Sequence, residues 1–135
     1  MRLLILGATG LSGTAITDEA LARGHEVVAV HRGVSDTLRA RDDERLLDYV
    51  HDRCDGHAAL TMRGPFDAVI DVSARIPAWV ADAVRTLDGD EPWWVQLSSV
   101  SAYGDLSQPG PTEADAVATF DDPVLELHEI GRAHV

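Results

Sequence analysis

The stretch GATGLSG sets glycines at positions 7, 10 and 13, directly after the apolar run Leu3 to Leu6 and directly before a helical pattern. Glycine at such positions lets a tight turn leave a strand, lets backbone approach a pyrophosphate with no Cβ in the way, and lets the next helix pack close. The helix would then offer free N–H groups and the positive end of its dipole to the phosphates. No Gly-Lys-Ser/Thr follows, which separates this turn from the phosphate loop of nucleoside triphosphatases. After the next apolar run comes VHRG, with His31 and Arg32 but no acid before Asp36. A guanidinium suits a 2′-phosphate better than a free 2′-hydroxyl, so NADP is the expected cofactor, with NAD the other candidate. HDRCDGH places His51, Cys54 and His57 at H-x2-C-x2-H spacing, which resembles half of a metal site. Only Asp52 or Asp55 stands near as a fourth ligand, so the spacing is read as coincidence and no metal is expected.

The elements that must position these residues follow from periodicity. Leu3 to Leu6 is too short for a helix and apolar throughout, as a strand covered on both faces is. Leu11, Ala15, Ile16, Ala20 and Leu21 form a helical stripe, which Gly24 stops. Glu26 to Val30 predicts a second buried strand and Leu46 to Val50 a third, with Gly33 to Glu44 a charged loop containing a helical turn. Phe66 to Ala74 predicts a fourth strand, Pro77 opens a helix with Val80, Ala83, Val84 and Leu87 at helical spacing, and Trp93 to Ser99 predicts a fifth strand. Strands alternating with helices imply an α/β fold, a doubly wound parallel sheet of the Rossmann kind with strand order 3-2-1-4-5. The three tryptophans, Trp79, Trp93 and Trp94, are read as packing residues, with Trp93 half exposed.

Composition bounds what such a domain does. The chain has 135 residues, 45% of them hydrophobic, enough for one core. A net charge of −12 with only 11 basic residues argues against a nucleic-acid partner, since nothing would neutralise a polyanion. One cysteine, Cys54, excludes an internal disulfide and fits a reducing compartment. No apolar run approaches a membrane span and no charged n-region precedes an apolar stretch, so a cytoplasmic protein without a membrane partner is expected.

Together, GATGLSG and LSSVSAYG resemble the extended short-chain dehydrogenase/reductase family, in its NAD-dependent epimerase/dehydratase branch, from Met1 to about Val124. The resemblance implies cofactor contacts at Gly7, Thr9, Gly10, Leu11 and Gly13 of the turn and at His31 and Arg32 after the second strand. It also implies contacts at Asp52, which would face the adenine amino group, and at Ser73 and Ala74, where the chain would pass the cofactor ribose. Ser99 is implied as a catalytic residue that hydrogen-bonds the substrate hydroxyl or carbonyl, with Ser98 its neighbour and Ser101 a substrate contact; Tyr103 is read as structural. The plain alternatives are a ligand-free glycine turn, a solvated Arg32 and Asp52, and serines that only satisfy backbone at a strand end.

The family's chemistry also needs a Tyr-x-x-x-Lys pair, the tyrosine as acid/base and the lysine one helical turn on. The chain contains no lysine, and where the pair is awaited it reads IGRAH, Ile130 to His134. His134 is the one stand-in base. EIGRAHV back-translates to DNA used as a sequencing adapter, so residues 129–135 are expected to be a non-native tail on an incomplete NAD(P)-binding domain, 1–128. The chain alone is then expected to be inactive. Its parent is expected to act on a sugar-nucleotide-like or small carbonyl substrate as an oxidoreductase, epimerase or dehydratase, with a homodimer as the assembly open to it. The other function class is a non-catalytic dinucleotide-binding regulator on the same fold.

Overall fold

The computed structural model describes residues 1–38, 41–105, 107 and 109–117. The chain divides into two compact units, Met1–Leu97 and Ser98–Val135. The expected boundary at 128/129, the 129–135 tail and His134 lie outside the described residues.

In the first unit five strands pair in parallel: β1 (Arg2–Leu6), β2 (Glu26–His31), β3 (Leu46–Val50), β4 (Ala68–Asp71) and β5 (Trp93–Gln96). Their order is β3-β2-β1-β4-β5, the doubly wound arrangement expected. The central register sets Leu4 between Val28 of β2 and Val69 of β4. Alternate residues of β1 face opposite sides of the sheet, and both sides are covered. Leu3 and Ile5 pack with Val27, Ala29 and the helix α1 (Leu11–Ala22), through Ala20 and Leu21. Leu4 and Leu6 pack with Val28, Val30 and Val69 against Leu60 of α2 (Ala58–Thr61) and Ala83 and Leu87 of α3 (Pro77–Leu87). A strand buried on both faces cannot alternate polar and apolar residues, which is why β1 reads as an unbroken apolar run.

Three elements differ from expectation. The buried face of α1 runs through Gly13, Thr17, Ala20 and Leu21, while Leu11 is 94% exposed and Ala15 is also exposed. An apolar stripe cannot show a face that contains glycine and threonine; Thr17 is tolerated there because its hydroxyl donates to the Gly13 carbonyl at 2.8 Å. The fourth strand stops at Asp71, where the Asp71 carboxylate accepts the N–H groups of Ser73 and Ala74, both at 3.0 Å, and turns the chain out of the sheet. The fifth strand stops at Gln96, and Trp93 at its start is 79% exposed, more than the half expected. The crossover from β3 to β4 carries a 3₁₀ turn, Arg53–Asp55, and the four-residue α2, too short to show as a helical period.

In the second unit, Val100–Ala102 form a 3₁₀ turn, and Tyr103 bridges Val117 while Gly104 N–H donates to the Ala116 carbonyl at 2.9 Å. Tyr103 is therefore engaged through backbone pairing.

Candidate cofactor site

The carboxyl ends of β1 and β4 lie side by side, and the chain leaves them in opposite directions, one to α1 and one to α3. Such a reversal leaves a crevice where neither connection covers the sheet edge. Here it is a cleft of about 620 Å³, a size suited to a small molecule or cofactor.

The glycine turn forms its floor, and its three glycines answer to different constraints. Gly7 has φ +88° and faces Ser73 so closely that an added Cβ would lie 2.4 Å from the Ser73 Cβ. At Gly13 an added Cβ would lie 2.2 Å from the Gly7 carbonyl oxygen, so this glycine lets α1 sit against the turn. Gly10 meets nothing closer than 3.7 Å and has φ −73°, so nothing inside the chain demands glycine there. Gly10 lines the cleft.

The N-terminus of α1 is bare. Gly10 is its N-cap and supplies no side chain, and no acidic residue stands in the first turn. Among the described residues, no acceptor takes the N–H groups of Leu11, Ser12 or Gly13. Unneutralised donors at a helix start fit an anionic group such as a pyrophosphate.

All ten cofactor residues implied by the sequence line this one cleft: Gly7, Thr9, Gly10, Leu11 and Gly13 from the turn, His31 and Arg32 from the end of β2, Asp52 after β3, and Ser73 and Ala74 after β4. Their side chains are not equally free. His31 is buried; its Nδ1 accepts the Gly33 N–H at 2.9 Å, which puts its proton on Nε2, bonded to Asp48. Both ring nitrogens are thus engaged inside the chain. Arg32 is exposed. Asp52 accepts the Cys54 N–H at 2.9 Å, and this bond, with the Cys54 thiol and then Arg32, holds its carboxyl below the usual aspartate range. The same carboxylate pushes the Cys54 thiol up, against any nucleophilic role for it.

The residues of the H-x2-C-x2-H spacing go to separate partners. His51 Nε2 donates to the Gly56 carbonyl at 2.6 Å, Cys54 is exposed, and His57, 1% exposed, bonds Asp82 through Nδ1 at 2.7 Å. Among the described residues, no group of three or more His, Cys, Asp or Glu side chains is placed to hold a metal ion.

Sequence reasoning missed part of the cleft wall. Arg53, His57 and Trp79 also line it. Arg53 reaches the fully buried Asp71 with both terminal nitrogens, and its guanidinium carbon lies 5.2 Å over the Trp79 ring. A carboxylate inside the apolar run AVID was the available signal, because a charge at a buried strand end needs a partner.

Ser99 and Ser101 lie in the second unit. The Ser99 hydroxyl accepts the Ser101 N–H at 3.2 Å and lies 3.1 Å from the Ser101 hydroxyl, a cap at the start of the 3₁₀ turn.

The profile of the NAD dependent epimerase/dehydratase family matches residues 3–124. The chain belongs to that family. Solved structures of epimerases and dehydratases share its fold. The UDP-Glc/GlcNAc 4-epimerase of Campylobacter jejuni superposes with a TM-score of 0.73 at 21% identity, over 98% of this chain and 48% of that one. The dTDP-glucose 4,6-dehydratase of Bacillus anthracis, solved with NAD, gives 0.73 at 14% identity, over 98% and 50%. The UDP-glucose 4-epimerase of Bifidobacterium longum, solved with NAD+ and UDP, gives 0.71 at 15% identity, over 99% and 50%. The chain thus spans about half the length of the structures it matches. No curated protein matches it. Among the described residues no helix is long and apolar enough to cross a membrane. The cleft of this epimerase/dehydratase-family chain fits a dinucleotide on its own geometry: a bare helix start, an open glycine above it, and the β4 loop pressed against the turn.

Proposed function

We propose that this chain binds NADP(H) in the cleft at the carboxyl ends of β1 and β4, and that the protein it serves is an NAD(P)-dependent oxidoreductase, epimerase or dehydratase. The observation that carries the reading is the unpartnered start of α1 beneath the open face of Gly10. The N–H groups of Leu11 and Ser12 would hold the pyrophosphate, and Ser73 and Ala74 would border the ribose beyond it. Asp52 keeps a carboxylate for the adenine amino group. When bound, the nicotinamide supplies hydride acceptance and donation at C4. Arg32, exposed at the rim, supports NADP over NAD, because a guanidinium pairs with a 2′-phosphate through charge-assisted bonds. Ser99 is assigned to the substrate hydroxyl or carbonyl and Ser101 to a substrate contact. The substrate is a small molecule of the sugar-nucleotide or carbonyl class, and neither nucleic acid nor membrane is a partner.

The test is fluorescence titration of the full chain with NADPH and NADH. NADPH is expected to bind more tightly. Tighter NADH binding overturns the assignment of Arg32, and binding of neither at millimolar concentration overturns the reading as a whole.

A further inference from the structure

Arg53 ties together three segments of the cleft wall. It sits on the 3₁₀ turn after β3, whose start Asp52 caps through the Cys54 N–H. Its Nη2 donates to Asp71 Oδ2 at 2.7 Å and its Nη1 to Asp71 Oδ1 at 3.3 Å. Nη1 also donates to the Ser73 hydroxyl at 3.1 Å. Asp71 is fully buried, and its Oδ1 holds the N–H groups of Ser73 and Ala74. The guanidinium carbon lies 5.2 Å over the Trp79 ring of α3. The loop held in this way is the one pressed on the glycine turn, where Ser73 fills the space a Gly7 side chain would need.

A charge pair is an expensive way to pin a loop. Two ions leave water for it, and an apolar pair of similar volume commonly serves stability as well or better. What the apolar pair lacks is direction: bidentate bonds set angle and distance together. Arg53 spans the two rims a dinucleotide would have to touch at once, Asp52 on the adenine side and Ser73–Ala74 on the ribose side.

We infer that Arg53 is a positioning residue for the dinucleotide: acting through Asp71 and Ser73, it fixes the separation of the two rims, so that the empty cleft already has its bound width. The inference rests on the reading of the cleft as a dinucleotide site. Its mechanism is pre-organisation. If losing the tie leaves the bound width populated one-tenth of the time, the apparent dissociation constant rises about tenfold.

The experiment uses the full chain, with NADPH and NADH titrated by tryptophan fluorescence and thermal melting followed without ligand. In the double variant Arg53→Met, Asp71→Asn, both charges are gone while the asparagine oxygen still accepts from Ser73 and Ala74. It is expected to melt near the parent yet bind the preferred dinucleotide about tenfold or more weakly. Arg53→Lys, which keeps the charge but not the two-point geometry, is expected to fall between the two. A double variant that melts and binds like the parent overturns the inference and leaves the cofactor assignment standing. Should the double variant not fold, Arg53→Lys decides: weaker binding at unchanged melting supports the inference, and equal binding overturns it. A parent chain that binds neither dinucleotide removes the cofactor reading and this inference with it.

Discussion

The third glycine of the turn touches the first: a Cβ on Gly13 would stand 2.2 Å from the carbonyl oxygen of Gly7, and 2.8 Å from the Ala8 Cα. The clash is with backbone that two strands hold, since Gly7 and Ala8 both donate to the Val30 carbonyl, at 2.9 and 3.1 Å. The turn cannot yield without moving β1 against β2.

Gly13→Ala is therefore expected to cost about 1–3 kcal/mol or more in a urea melt, the range of overpacked cores. Gly10→Ala, with open space before it, is expected to cost no more than about 1 kcal/mol, the scale of a weaker N-cap, while dinucleotide binding falls. Equal destabilisation by the two changes would contradict the division of labour among the glycines.

Removing one partner of the Arg53–Asp71 pair leaves a buried charge alone. Asp71→Ala is expected to lose about 3–5 kcal/mol, a large share of a small domain's total stability. A double-mutant cycle with Arg53→Met and Asp71→Asn checks this by chemical denaturation. Each single change is expected to destabilise while the double variant melts near the parent, so the two losses do not add; additive effects would show that the pair contributes nothing to the fold.

Replacing Arg32 with alanine is expected to weaken NADPH binding about tenfold while moving NADH by less than about twofold, the signature of a lost charge-assisted contact to one phosphate. Paired titrations of the parent and the variant measure it. A proportional loss for both cofactors would place Arg32 on a part the two share.

Acid is expected to destabilise the first unit through named carboxylates. Asp82 is held below the usual aspartate range chiefly by the hydrogen bond from His57, with Arg85 adding to it, and Asp18 is held low by its bond to Arg41. A carboxyl whose folded pKa is depressed stabilises the fold fully above its unfolded pKa, and that stabilisation is lost as the pH falls from the ordinary aspartate value through the lower folded one. Asp82→Asn is expected to flatten the decline in denaturation midpoint below pH 4 relative to the parent. An identical acid limb in both would rule out Asp82 as a contributor.

How far the chain could be read without its structure depended on the range of each interaction. The strand–turn–helix from Arg2 to Ala22, the strand Glu26–His31 and the helix opening at Pro77 were legible because their causes are local: an apolar run, a glycine that ends it, a proline at a first turn. The buried face of α1 was misplaced because Gly13 and Thr17 carry no hydrophobic signal, although both are buried. The fourth strand ends short of Ala74 because the Asp71 carboxylate captures the Ser73 and Ala74 amides, which nothing in FDAVIDVSA announces. The glycines of the turn and Arg32 are legible from their own types and spacing and the other cofactor residues from a resemblance, and the geometry gathers all ten around one cleft.

By itself, then, the amino-acid order determined a parallel α/β sheet with a glycine turn after its first strand, because those features are encoded in neighbouring residues. Tertiary structure alone decided that Arg53 meets Asp71, eighteen residues on, and that Ser73 fills the space beside Gly7. The second contact exists because β4 pairs with β1 rather than with its predecessor β3, and brings the two strand ends together; the first reaches from the turn after β3 to the end of β4. Hydrogen bonds between distant strands set that pairing, and no stretch of neighbouring residues carries it.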